Sequence, residues 1–253
     1  MEKMRLSGHD VYYATELRAG QRDLVLAGEE FHHLCRVARH RVGDPVAVTN
    51  GRGLMAVGRV KAIRKESAIL EFSDWMEDHG ESYLRLWLGV GMIRSQRFDW
   101  LVEKATELGV IRISPLLTKY ARSRDGEAKA GRWRRLAIAA MKQCQRSVLP
   151  EVDDPMPLAE WLEQLPPSGP RLAAIPEAEM FVGHWICNAR LVPPLELVAL
   201  VGPEGGFAAE EVQLAQSRGF VGVSLGPRRL RTETAALLLC SLLLNMIPAK
   251  EGR

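Results

Sequence analysis

Cysteines, net charge and long apolar runs are all scarce in this chain, and each scarcity removes a class of protein. Four cysteines in 253 residues, Cys35, Cys144, Cys187 and Cys240, stand far apart with no C-x-x-C pair. That speaks against a disulfide frame or a zinc site and for isolated packing thiols. A net charge of +3 is too small to call for nucleic acid by its sum alone. The longest apolar stretch, Ala235 to Leu244, is broken by Ser241 and ends at Asn245 to Pro248, far short of the roughly 20 residues that cross a bilayer. The opening MEKMRLSGHDVYY has no apolar core of signal-peptide length, so the expectation is a cytoplasmic protein without membrane contact.

Two cofactor signatures are also missing. No G-x-x-x-x-G-K-[ST] occurs, which removes a phosphate-cradling P-loop. The glycine-rich segment GPEGGF is not G-x-G-x-x-G, and no acid lies between Val212 and Arg231 to hold a ribose, which removes a nicotinamide site.

Hydrophobic residues at 47% and charged residues at 26% are the proportions of a globular protein with a sizeable core. Its positive charge is placed unevenly. Residues 32–41 read HHLCRVARHR and residues 226–231 read GPRRLR, both without an acid.

Residues 1–75 predict a small β-rich unit. DLVLAG, PVAVTNGRG, LMAVGRVKAI and SAILEF are short β-branched runs between turn residues, with Asn50-Gly51 as a hairpin signal. A short helix is expected in EEFHHLCRVAR, where Phe31, Leu34, Val37 and Ala38 recur at helical spacing. The acidic stretch SDWMEDHGES, residues 73–82, is expected to be the linker. From residue 82 to 253 apolar strands alternate with amphipathic helices, which predicts an α/β domain with a mostly parallel sheet. Its first helix should bury Phe98, Leu101, Val102, Ala105 and Leu108 and stop at Gly109. A long helix is expected over 126–148, and further helices over 208–218 and 234–246.

Parallel sheets of this kind bind ligands beyond the carboxyl ends of their strands. The loops following LELVALV and VGVSLG are therefore the candidate site. The first, Gly202-Pro203-Glu204-Gly205-Gly206-Phe207, has three glycines that permit tight turning and close approach of backbone to a ligand. Glu204 would repel phosphate, so the expected ligand is neutral or cationic beside it. S-adenosylmethionine, with its sulfonium and amino group, suits. Ala208 stands where a capping Ser or Thr is expected, a loss of about 1 kcal/mol. The second loop, Leu225 to Ala235, carries Arg228, Arg229 and Arg231 ahead of Thr232-Glu233-Thr234, and an arginine cluster against an apolar helix is costly unless anions approach it.

VGPEGGF followed about twenty residues later by LGPRRLRTETA, with KATELGV and KQCQRSVLP upstream, resembles the RsmE family of ribosomal RNA methyltransferases, SPOUT enzymes that methylate N3 of a uridine in 16S rRNA. Arg5, HHLCRVARHRVGD and NGRG resemble that family's PUA-like RNA-binding domain. The resemblance implies a PUA-like β-barrel, then a SPOUT-type α/β domain with a trefoil knot, adenosine held by backbone of the knotted loops, and a homodimer acting on 16S rRNA or the small ribosomal subunit. Two positions depart from the family pattern: Lys142 stands where a glutamate is common, and Arg229 where an aliphatic residue is usual.

Cofactor contact is expected from Leu117, Val201, Gly202, Glu204, Gly205, Leu225, Gly226 and Leu230. Arg228 or Arg231 can donate to the uracil carbonyls and stabilise an N3 anion, or contact phosphate only. Glu233 either accepts the proton or supports the helix start, and Glu204 either faces the sulfonium or pairs with Arg228. RNA contact is expected from Arg5, His33, Arg36, Arg39, Arg122 and Arg146, with Arg124 and Gln143 in the same segments. Arg36 and Arg39 should share one helix face at i, i+3. His32 and His33 lack further ligands at metal spacing, so no metal is expected.

Overall fold

The structure, a computed structural model, describes residue 6 and residues 8–121, 127–189 and 195–246. Arg5, Arg122 and Arg124 lie outside the described residues. The chain divides into two units, Met1–Glu81 with Ile138–Leu149, and Ser82–Ala137 with Pro150–Arg253.

The first unit is a curled five-stranded sheet in the order β1-β3-β4-β5-β2. Its strands are β1 (Asp10–Tyr13), β2 (Asp23–Ala27), β3 (Pro45–Thr49), β4 (Leu54–Ile63) and β5 (Ser67–Glu77). Strand β1 has no counterpart in the sequence reading. Val11 and Tyr12 are adjacent and both buried, so DVYY shows none of the alternation that marks a half-buried strand. The expected linker at 73–82 begins too early, because β5 continues to Glu77 by pairing Asp74, Trp75, Met76 and Glu77 with Val57, Ala56, Met55 and Leu54. Tyr12, Leu24, Leu26, Leu34, Val48 and Leu70 are among the residues that close the core.

The expected helix after β2 forms as α1 (Gly28–His32) and continues through a π-helical turn, His33–Val37. Arg39 then leaves the helix with φ 58°, so Arg36 and Arg39 do not form an i, i+3 pair on one face. His40 draws the chain away, with Nε2 2.9 Å from Asp10 and Nδ1 3.5 Å from Asp44.

The second unit is a seven-stranded, wholly parallel sheet in the order β12-β10-β11-β6-β7-β8, with β9 also on β7. Its elements are β6 (Leu84–Gly91), α2 (Ser95–Leu108), β7 (Arg112–Leu117), α3 (Glu127–Gln143), which from Ile138 onward belongs to the first unit, β8 (Glu151–Val152), β9 (Met156–Pro157), α4 (Leu158–Glu163), β10 (Arg171–Ala174), α5 (Val182–Asn188), β11 (Leu195–Val201), α6 (Ala209–Ser217), β12 (Phe220–Val223) and α7 (Thr232–Met246). Helices cover both faces: α2, α5 and α7 pack together with β6 and β11, while α4 and α6 pack on β7 and β12. That double cover is why the strands read as continuous apolar runs. Helix α2 buries Phe98, Leu101, Val102 and Ala105, and Gly109 ends it with φ 104°, as its pattern predicts.

Three differences are local. Helix α3 stops at Gln143 rather than 148, because Gln145 turns to φ 60° and Arg146 folds into the first unit. Helices α4 and α5 are too short, at six and seven residues, to show a helical period. Among the cysteines, Cys240 is buried and its thiol is pushed up to about 12 by that burial, whereas Cys187 is exposed and is not a packing thiol.

Candidate active site

Strands β10, β11 and β12 lie side by side and end together, so the loops that follow them enclose one space. It is a cavity of about 870 Å³, large enough for a nucleoside-sized ligand. The loop after β11 contributes Val201, Gly202, Glu204 and Gly205, and the loop after β12 contributes Leu225, Gly226, Arg228 and Leu230. All seven cofactor residues expected in these two loops therefore line one cavity. The third wall, Ile175 to Glu179 and Phe181 after β10, escaped the sequence reading because it has no unusual residue density.

Leu117 does not line this cavity. It ends β7 and pairs with Pro157 of β9, and β6 separates its strand from β11.

The glycine loop is tied down on several sides. A Cβ on Gly91, at the end of β6, would stand 2.4 Å from Pro203 Cδ and 2.6 Å from Pro203 N, so only glycine lets this loop pack backbone against backbone. A Cβ on Gly205 would come 2.9 Å from Tyr120 Cβ; what crowds that position is the neighbouring loop. Ala208 offers no side-chain cap, but the reciprocal half of a capping box forms: Glu211 Oε2 accepts from Ala208 N–H at 2.9 Å. The same carboxylate takes Lys119 N–H at 2.8 Å through Oε1, and Lys119 Nζ pairs with Glu210 at 2.6 Å.

Glu204 pairs with Arg97, at 3.1 Å from Nη1, rather than with Arg228. Arg97 Nε also lies 3.7 Å from Glu233. Glu233 is 7% exposed and is not among the residues that line the cavity. Thr232, which does line the cavity, has a buried hydroxyl without a hydrogen-bond partner. A ligand with a donor or acceptor at that wall would satisfy it. Apolar Val201, Leu225 and Leu230 beside the Glu204 carboxylate give the mixed lining that an adenosine bearing a cationic sulfonium needs.

Arg228 is exposed at the cavity wall, while Arg231 is exposed and lies off it. Neither has an ion-pair partner among the described residues. Of the two expected anion stabilisers, Arg228 is the one placed at the cavity.

In the first unit, Arg36 and Arg39 are exposed. His33 instead turns inward, its ring edge-on to Tyr12 with centroids 5.9 Å apart. Arg146 is 2% exposed and is held by Glu81 through contacts of 2.6 and 3.1 Å. Both were expected to face RNA; Arg146 is buried on its acid, whereas His33 is half-buried with its ring against Tyr12. Lys142 pairs with Glu30 at 2.5 Å, which accounts for a cation at that position. Among the described residues no group of three His, Cys, Asp or Glu is arranged to hold a metal.

Residues 80–244 match the RNA methyltransferase domain family, and residues 26–73 match the RNA methyltransferase PUA domain. The chain belongs to this RNA methyltransferase family. The Ribosomal RNA small subunit methyltransferase E of Aquifex aeolicus is 29% identical, over 93% of this chain and 99% of its own length. That of Bacillus subtilis is 27% identical, over 85% and 87%. A crystal structure of the Neisseria gonorrhoeae ribosomal RNA small subunit methyltransferase E bound to S-adenosyl methionine superposes with a TM-score of 0.84 at 28% identity, covering 94% of this chain and 98% of that one. The methyltransferase thus has a PUA-like N-terminal sheet and a SPOUT-type parallel α/β domain.

Proposed function

We propose that this RNA methyltransferase transfers the methyl group of S-adenosylmethionine to N3 of a uridine in 16S rRNA, in the cytoplasm and as a homodimer. The observation that carries the reading is one cavity with Glu204 on its wall and the unpaired Arg228 at its edge. The relatives named for small-subunit RNA and the neighbour holding S-adenosyl methionine support it. A trefoil knot through the cavity loops belongs to the same proposal.

The bound cofactor supplies a methyl group activated by a sulfonium, so the chain's own work is positioning and charge. Backbone of the loops after β11 and β12 holds the adenosine side. Glu204 faces the cationic end. Arg228 donates to a uracil carbonyl oxygen and stabilises the negative charge left on the ring when the N3 proton passes to solvent water. Arg36 and Arg39 neutralise RNA phosphates from the first unit.

The test is to incubate purified protein with S-adenosylmethionine and either free 16S rRNA or small subunits lacking the modification, then map the product by mass spectrometry. One methyl group on a uridine base at N3 is the expected result. A methyl on a ribose, or none with either substrate, contradicts it, the last pointing to an RNA-binding protein without turnover.

A further inference from the structure

Arg97 reaches both the glycine loop and the start of α7. It sits in the first turn of α2, one third exposed, with Nη1 3.1 Å from Glu204 and Nε 3.7 Å from Glu233. Both carboxylates are poorly hydrated, their side chains 18% and 9% exposed. Two such carboxylates brought to one place repel each other and lose solvation unless a cation stands between them. A guanidinium suits that task because its planar fork addresses two acceptors at once. Glu204 lines the cavity, while Glu233 follows Thr232, which lines it too. Fixing the two carboxylates therefore fixes two walls of the cofactor site from behind.

We propose that Arg97 is a positioning residue for cofactor binding, clasping the loop after β11 to the N-terminus of α7 through Glu204 and Glu233. The inference rests on the S-adenosylmethionine reading. Arg97 touches no reacting atom; it acts by holding Glu204 where a cationic sulfonium meets it.

Calorimetric titration of S-adenosylmethionine into the full chain tests it, beside RNA affinity for the same proteins. Arg97→Gln should weaken cofactor affinity at least about tenfold, since it removes the guanidinium that joins two poorly hydrated carboxylates, and RNA affinity should change less than about twofold. Arg97→Lys, which keeps the charge and loses the fork, should recover most of the loss. If Arg97→Gln does not fold, Arg97→Gln combined with Glu233→Gln removes the repulsion and still breaks the clasp, so its cofactor affinity should remain about tenfold weaker. A folded variant lacking Arg97 that binds like wild type overturns the proposal, as does an Arg97→Lys no better than Arg97→Gln. A wild type that does not bind S-adenosylmethionine overturns the cofactor reading and this inference with it; a wild type that binds, beside an unimpaired Arg97→Gln, overturns this inference alone.

Discussion

The two loops that face each other across the cavity are built in opposite ways. The loop after β11 is held by Pro203 against Gly91, by Gly205 against Tyr120, and by Glu204 on Arg97. The loop after β12 has three exposed arginines, and a Cβ on Gly226 would meet nothing within 4 Å. Ordering costs free energy for every residue fixed, so a site that binds a small cofactor gains by having one wall set before the ligand arrives. A wall that must admit a nucleotide gains by staying open, with unpaired cations for the incoming charge. In the proposed function the first loop is the preset wall of the cofactor seat, and the second adds its backbone to that seat and its arginines to the substrate side.

Substitutions in each loop break this comparison in order of expected size. Gly91→Ala drives a methyl into Pro203 and forces backbone to move, an overpacking cost of about 1–3 kcal/mol. Calorimetry should show S-adenosylmethionine affinity falling about 10- to 100-fold. Gly226→Ala is smaller. Its φ of 111° is strained for a side chain, but a Cβ there has open space around it, so the loss should be about tenfold or less. Glu211→Ala removes the acceptor for Ala208 N–H and loosens Lys119. Denaturant unfolding should show about 1 kcal/mol of lost stability, with cofactor affinity altered least of the three.

Both loops were legible in the sequence because ligand sites concentrate unusual chemistry: three glycines around Glu204, and three arginines ahead of an apolar helix. The wall after β10 was not, since IPEAE is an ordinary turn until strand order places β10 between β11 and β12. Arg97 was missed for a related reason. In RSQRFD it is one polar residue at a helix start, and only the fold brings it to carboxylates 107 residues away at Glu204 and further on at Glu233. Arg146 shows the converse failure. A basic residue in a family motif suggests RNA contact, and nothing local in KQCQRSVLP announces that Glu81 will bury it.

The division of labour between the loops stands or falls on Arg228→Ala in single-turnover methyl transfer at saturating RNA and cofactor. The account predicts a rate about 100-fold or more below wild type, partly recovered at higher pH where uridine loses its N3 proton unaided, with S-adenosylmethionine affinity within about twofold. A saturated rate near that of wild type, with cofactor binding lost or with only the RNA concentration for half-saturation raised, would contradict it.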